Sequence, residues 1–402
     1  MGSRVLKGTS RVADDDARLL LALLAGSATV HAVDVDAECW RAVAEMAAWH
    51  DMQPALRHAV AALASVALPA DVREPLDTSH TLALMRAESR RRQLAEVLAA
   101  LAAADVPTIV LKGAYLAEHV WAAPALRPMT DIDLLVPGER LARAQETLAA
   151  LGYGPNGDPS IAPRARHAPA LRRRGRLPVE LHHTIEPCSP PFGLTLDAMW
   201  ARSVACEVAG VGARALAPED LLLHIAIHMG HSHILGSWLP RVCDVQGWTA
   251  RFGATADWDA VVRGARAAGA RRFVNAALAL AHRTLDADVP AEVLAALHAP
   301  QDEATVAHAT TLLATPPLLV ASATSLTDPR DSMLARARKV ARALLVSSAG
   351  RMRAGRGGGL LPRGYGARWT AVARMVLLPS GPSMARRVAS VRALRDWATS
   401  VD

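Results

Sequence analysis

Two aspartates one residue apart, Asp131-Ile132-Asp133, open the apolar run Leu134-Leu135-Val136. Side chains alternate faces along a strand, so both carboxylates project from one side while Ile132 turns into the core. Carboxylates held that close repel, and one pKa rises unless a divalent cation lies between them. The pair therefore asks for a metal. Further along, Val179-Glu180-Leu181-His182 repeats the alternation, with Glu180 and His182 on one face. If the two strands are neighbours, Glu180 supplies a third carboxylate. Acids clustered in this way suit two-metal phosphoryl transfer, in which one ion neutralises a triphosphate and the other lowers the pKa of an attacking hydroxyl. Asp131, Asp133 and Glu180 are thus the expected metal ligands and catalytic residues, with Mg²⁺ or Mn²⁺ as the ion.

A second feature precedes the acids. The β-branched run Thr108-Ile109-Val110-Leu111 ends in Lys112-Gly113, and a helical pattern follows from Ala114 to Trp121. The free N–H groups and the dipole at such a helix start favour phosphate. Gly113 permits close backbone approach, and Lys112 adds a charge that can reach a phosphate oxygen. Arg127, in the loop before the first aspartate, is placed to do the same. With His182, these are the expected nucleotide-binding residues. A lone acid-x-acid pair is common, and Leu-Lys-Gly recurs at Leu6-Lys7-Gly8. The reading rests on the order of the features and on their strand and helix context.

The elements that must position these residues are mostly helical. About half of the residues are apolar and 4% are aromatic, a balance that favours helices packed through small side chains. Apolar spacings of three and four predict helices over Leu19–Leu24, Cys39–His50, Gln53–Val66 and Thr78–Ala104, with a loop at Pro69 and at Asp71–Pro75. A strand Ile132–Val136, stopped by Pro137-Gly138, leads into a helix Glu139–Leu151. Ala168–Arg172 and Leu177–His183 form a predicted hairpin, after which the sheet is expected to end. Helices return over Glu219–His233, Trp258–Ala268, Arg271–Leu285, Ala291–Ala299 and Glu303–Ala314. The expected fold class is α+β, mostly helical, with a small mixed sheet and flanking helices. Four regions are expected: a helical region 1–104, an αβ core 105–186, a helical domain 187–320, and a basic tail 321–402 with a Gly/Arg-rich loop over 355–366 and helices.

Of the 45 basic residues only Lys7, Lys112 and Lys339 are lysines, a bias that points to a GC-rich genome. The net charge of +7 favours anionic ligands in a general way. Much of it lies after Arg330, including Arg336, Arg338, Lys339, Arg342 and Arg386-Arg387, where few aromatics interleave; a solvated helix face is expected and nucleic acid is not an expected partner. Cys39, Cys188, Cys206 and Cys243 make no CxxC pair, so no zinc site or disulfide framework is expected. The apolar run Leu19–Val33 is broken by Gly26 and His31, too short for a membrane span. A cytoplasmic protein is expected. His224, His228 and His231 fall on one helix face with His233 close behind, a spacing that suits the cleft, a helix interface or a metal. Packing is the leading expectation, and Asp244 is a candidate anchor for one of them.

The run LKGAYLAEHVWAAPALRPMTDIDLLV, followed by a helix ending LGY and later by VELHH, resembles the uncharacterised bacterial nucleotidyltransferase family of the polymerase-beta-like superfamily. The resemblance covers about residues 35–250, including the segment DLLLHIAIHMGHSH. It implies transfer of a nucleoside monophosphate, with ATP the expected donor, to a hydroxyl or phosphate acceptor on a small molecule, peptide or protein, with release of pyrophosphate. It also hints at a peptide natural-product pathway as the source of the acceptor. Superfamily members carry Gly-Gly or Gly-Ser at the turn, whereas Ala114 follows Gly113 here, so the small hydroxyl that grips phosphate is absent. Two other readings compete. One is a non-catalytic, antitoxin-like or regulatory binding protein, which the intact set of three acids disfavours. The other is an RNA-directed enzyme that uses the basic tail.

Overall fold

The computed structural model describes residues 13–26, 35–63, 66–155, 166–235, 238–299, 301–315 and 382–399. The Gly/Arg-rich stretch and the cations from Arg336 to Arg342 lie outside them; Arg386 and Arg387 belong to the last described helix.

The chain is α+β and mostly helical, as the composition and periodicity predict. Among the described residues four helices, α1 (Ala13–Leu24), α2 (Ala37–Trp49), α3 (Gln53–Ala61) and α4 (Ala70–Ala103), come before the first strand. The loop expected at Asp71–Pro75 is instead the start of α4, with Pro75 inside the helix. A proline so near the N-terminus removes only one intrahelical hydrogen bond, and Pro69 before the helix marks the true boundary. The sheet follows: β1 (Ile109–Val110), α5 (Lys112–His119), β2 (Ile132–Leu135), α6 (Leu141–Ala150), β3 (Gly154–Pro155), β4 (Leu171–Arg172) and β5 (Val179–His182).

Its strand order is β3-β4-β5-β2-β1, extended by two strands beyond the expected limit. After α7 (Leu196–Arg202), β6 (Val204–Val208) and β7 (Val211–Ala215) form an antiparallel hairpin, and β7 joins β1 in parallel. The sheet therefore does not end at β5. Its turn holds Ala209 and Gly210 at φ 55° and 81°, the two left-handed residues of a primed hairpin turn. An alanine is a rare choice there, which hides the turn from a sequence reading. The Glu118 carboxylate accepts the Ala209 N–H at 2.7 Å and holds it in place.

All four residues of β2 are buried, so this central strand is covered on both faces and reads as a continuous apolar run with one acid in it. β2 pairs with β5 in parallel, and β1 runs antiparallel to β2. Gln93 of α4 clamps the entry to β5: its amide donates to the Leu177 carbonyl at 2.8 Å and its carbonyl accepts the Leu177 N–H at 3.0 Å. The long helix thereby sets where β5 begins.

Among the described residues the remaining helices are α8 (Pro218–Ile227), α9 (Leu239–Phe252), α10 (Trp258–Ala267), α11 (Arg271–Leu285), α12 (Ala291–Leu297), α13 (Asp302–Leu313) and α14 (Pro382–Thr399). Residues from α1 to α14 contribute to one continuous apolar core. No helix among the described residues is long and apolar enough to cross a membrane.

His50, at the C-cap of α2, ties the first helices to the later ones. Its Nε2–H donates to the Leu313 carbonyl at 2.9 Å and its Nδ1 accepts the Leu239 N–H at 3.3 Å. Burial pushes its pKa down to about 4 despite the bond to the carbonyl. The unfolded chain therefore takes up a proton below about pH 6.5 that the folded chain refuses until about pH 4, so stability falls as pH drops through that window. The expected loss is roughly 3 kcal/mol. Urea unfolding between pH 7 and pH 4 should show it, and His50→Gln, less stable at pH 7, should show a shallower dependence.

Candidate active site

Parallel pairing places Asp133 directly opposite Glu180 on the adjacent strand. Asp131 stands just before β2, and all three carboxylates open into one cleft of about 480 Å³, within the size range of small-molecule sites. The condition under which Glu180 joins the aspartates is thus met by the sheet. Burial, then the fields of Asp133 and Glu180, raise the Asp131 carboxyl to about 6. Asp133 behaves oppositely. Its burial disfavours the charge, but Lys112 and His182 outweigh it and hold the carboxyl far below the usual range. Lys112 Nζ lies 3.4 Å from Asp133 Oδ2, and His182 Nε2 lies 2.8 Å from Asp133 Oδ1.

His182 therefore orients Asp133, and it also stands 3.8 Å from Glu180 Oε2. His167, on the segment beside β5, approaches Glu180 Oε2 to 3.6 Å and packs its ring 5.0 Å from that of His182. Asp133, Glu180 and His182 each offer a ligand atom within 4.8 Å of the others. His182 Nε2 is already engaged with Asp133, and imidazole suits softer ions, so within this group an oxygen-preferring ion such as Mg²⁺ or Mn²⁺ would use the carboxylates.

Lys112 opens α5 with φ 32°, a backbone conformation that a residue with a side chain rarely adopts. Burial alone would lower its pKa; Asp133, Glu186 and Asp131 outweigh that effect and keep the ammonium charged. Gly113 has a reason beyond phosphate access. A Cβ there would stand 2.6 Å from Arg127 Nη1. Arg127 lines the cleft but is committed elsewhere: Nε and Nη2 donate to the two Asp244 oxygens at 2.8 and 2.7 Å. Trp121 Nε1–H adds a third bond to Asp244 at 2.7 Å. Asp244 therefore anchors the Arg127 loop, and not one of the histidines.

The histidines have a different anchor. Glu186, in a 3₁₀ turn just after β5, is 3% exposed. It lies 2.7 Å from His228 Nδ1, 3.2 Å from Ser232 Oγ, and 3.3 Å from both Arg166 Nη1 and His224 Nδ1. Burial disfavours its charge, yet His228, His224 and Lys112 hold it far below the ordinary carboxylate range. His224 is fully buried, and burial lowers its pKa to about 3. After α8 the helix widens into a π turn, His228–Ser232, which breaks the expected i, i+4, i+7 face. His228, His231 and His233 line the cleft while His224 lies behind it. His231 packs edge-on against Phe192 and Phe273, and His233 Nε2 meets His228 Nε2 at 3.1 Å.

Sequence reasoning missed Glu186, His167 and the partnership of Arg127 with Asp244. Glu186 follows the VELHH run closely enough to have been weighed with it. The Arg127–Asp244 pair spans 117 positions, and no local signal announces it. Because both partners are buried, removing one strands the other's charge. Asp244→Ala and Arg127→Ala should each lower unfolding free energy by about 3–5 kcal/mol, and Arg127→Lys should restore little because two parallel bonds need the planar fork. Equilibrium denaturation checks this.

No curated protein and no solved structure matches the chain. A family model does match, over residues 36–286, well over half of the sequence. That span runs from the start of α2 to the end of α11 and takes in the whole sheet, the three acids, the Lys112 turn and the histidine segment. The chain belongs to the family of uncharacterised nucleotidyltransferases.

Proposed function

We propose that the cleft transfers a nucleotidyl group from a nucleoside triphosphate, ATP being the expected donor, to a hydroxyl or phosphate on a small molecule, peptide or protein. Release of pyrophosphate, a cytoplasmic setting and kinship with the polymerase-beta-like superfamily are parts of the same proposal. The single observation that carries it is the parallel register of β2 and β5, which sets Glu180 beside Asp133 at the mouth that Asp131 and Lys112 share.

Asp131, Asp133 and Glu180 would hold Mg²⁺ or Mn²⁺, and the raised Asp131 pKa fits a carboxylate whose natural neighbour is a cation. When bound, such ions neutralise the triphosphate and make the acceptor hydroxyl more acidic. The protein's own groups do the rest. Lys112, kept charged by the acids around it, reaches a phosphate oxygen and balances the charge that develops on pyrophosphate. His182 holds one Asp133 oxygen at 2.8 Å, and Lys112 stands 3.4 Å from the other. Arg127 and Asp244 brace the Lys112-Gly113 turn from the side. The acceptor oxygen forms its bond to the α-phosphorus as the bond to the bridging oxygen breaks, and the electron pair leaves with pyrophosphate. The acceptor proton passes through Glu180 to water.

Asp131→Asn and Asp133→Asn should abolish Mg²⁺-dependent ATP binding in calorimetry and lower pyrophosphate release by about two to three orders of magnitude or more. Asp131→Asn should also raise the melting temperature of the nucleotide-free protein by a few degrees, since it removes a buried repulsion. Wild-type behaviour of both variants would sink the reading. Incubation with labelled ATP, GTP, CTP or UTP and a lysate of the source organism would identify donor and acceptor together.

A further inference from the structure

The cations that line the cleft pair off with carboxylates, with one exception among the described residues. Lys112 stands 3.4 Å from Asp133, Arg127 forks onto Asp244 at 2.7 Å, and Arg166 lies 3.3 Å from Glu186. Arg241 also lines the cleft, yet its guanidinium makes neither an ion pair nor a hydrogen bond with any described residue. It lies over the Trp238 ring, 4.8 Å from the centroid.

Three features make that solitary charge costly. Arg241 is only partly exposed, and burial pulls its pKa down to about 10. It occupies the first turn of α9, the positive end of the helix, where a cation is disfavoured. The field of Arg127 adds to the cost, and those of Asp244 and Asp131 act against it. An anion delivered from outside removes all of this strain at once. Asp131, which also lines the cleft, makes no ion pair with any described Lys or Arg, although the field of Lys112 acts on it. A phosphate accompanied by a divalent ion would suit both, the acids holding the cation and the guanidinium meeting the phosphate.

Resting on the nucleotidyltransferase reading, we propose that Arg241, lying over the Trp238 ring, is the receptor for a substrate phosphate group. The cation–π contact restrains the guanidinium before the ligand arrives, so its N–H bonds to phosphate cost less ordering. The phosphate is either the tail of the donor triphosphate or a phosphate on the acceptor.

Calorimetry with Mg²⁺ on the full chain separates these sources. If Arg241 holds the donor tail, Arg241→Gln weakens binding of ATP and of tripolyphosphate by about 10- to 100-fold. If it holds an acceptor phosphate, those affinities stay put, while binding of orthophosphate to protein saturated with a non-hydrolysable ATP analogue falls by a similar factor. Arg241→Lys and Trp238→Leu should give smaller losses on the same ligand, because charge remains but its orientation is lost. The melting temperature of Arg241→Gln should equal or exceed that of wild type, since a stranded charge is gone; a structural residue would lower it. Equal affinity of wild type and Arg241→Gln for all three probes would overturn the assignment. Failure of the wider reading looks different. A wild type that bound tripolyphosphate through Arg241 but bound no Mg-nucleotide would keep the anion receptor and remove the nucleotidyltransferase.

Discussion

Pairing of β2 with β5 forces two acids, Asp133 and Glu180, side by side on strands about 4.8 Å apart, with Asp131 close by. That crowding of negative charge is the constraint around which the cleft is arranged. Three carboxylates in a half-buried space would protonate or push the strands apart unless other charges met them. Lys112 and His182 take Asp133, His167 stands beside Glu180, and Asp131 is left with a raised pKa. The site is thus compensated on one side and open on the other, which is where a divalent ion and its phosphate would enter.

Distant elements hold this arrangement. Gln93 of α4 fixes the start of β5 through two bonds to Leu177, and so fixes Glu180. Asp244 of α9 holds Arg127, whose Nη1 lies where a Gly113 side chain would be. A side chain at position 113 would displace that guanidinium and, through it, the turn that carries Lys112. The glycine is therefore explained by packing against an arginine as well as by any ligand.

The histidine segment shows how a buried carboxylate organises polar groups that would otherwise be costly. Glu186 gathers His228, Ser232, Arg166 and His224 around two oxygens, and the π turn brings His228 and His233 to the cleft wall. A regular α-helix would have kept the three histidines on one stripe. With one widened turn, His231 packs edge-on against Phe192 and Phe273 and still borders the cleft.

The sequence by itself determined a good deal: the helical majority, the strand that carries Asp133 with Asp131 just ahead of it, the strand with Glu180 and His182, and a helix start at Lys112-Gly113, two residues earlier than expected. These are local facts, since alternation and helical spacing act between near neighbours in the chain. It hid the β6–β7 hairpin because Ala209-Gly210 lacks the usual turn residues, and it misplaced the start of α4 because Pro75 reads as a breaker wherever it stands. Tertiary structure alone decided that β5 lies parallel to β2 in the register that sets Glu180 opposite Asp133. It also decided that Arg127 belongs to Asp244, that Glu186 gathers the histidines, and that Arg241 makes no ion pair among the described residues. Such pairings join groups far apart in the chain, and which charge meets which depends on how buried faces pack; no short-range pattern records that.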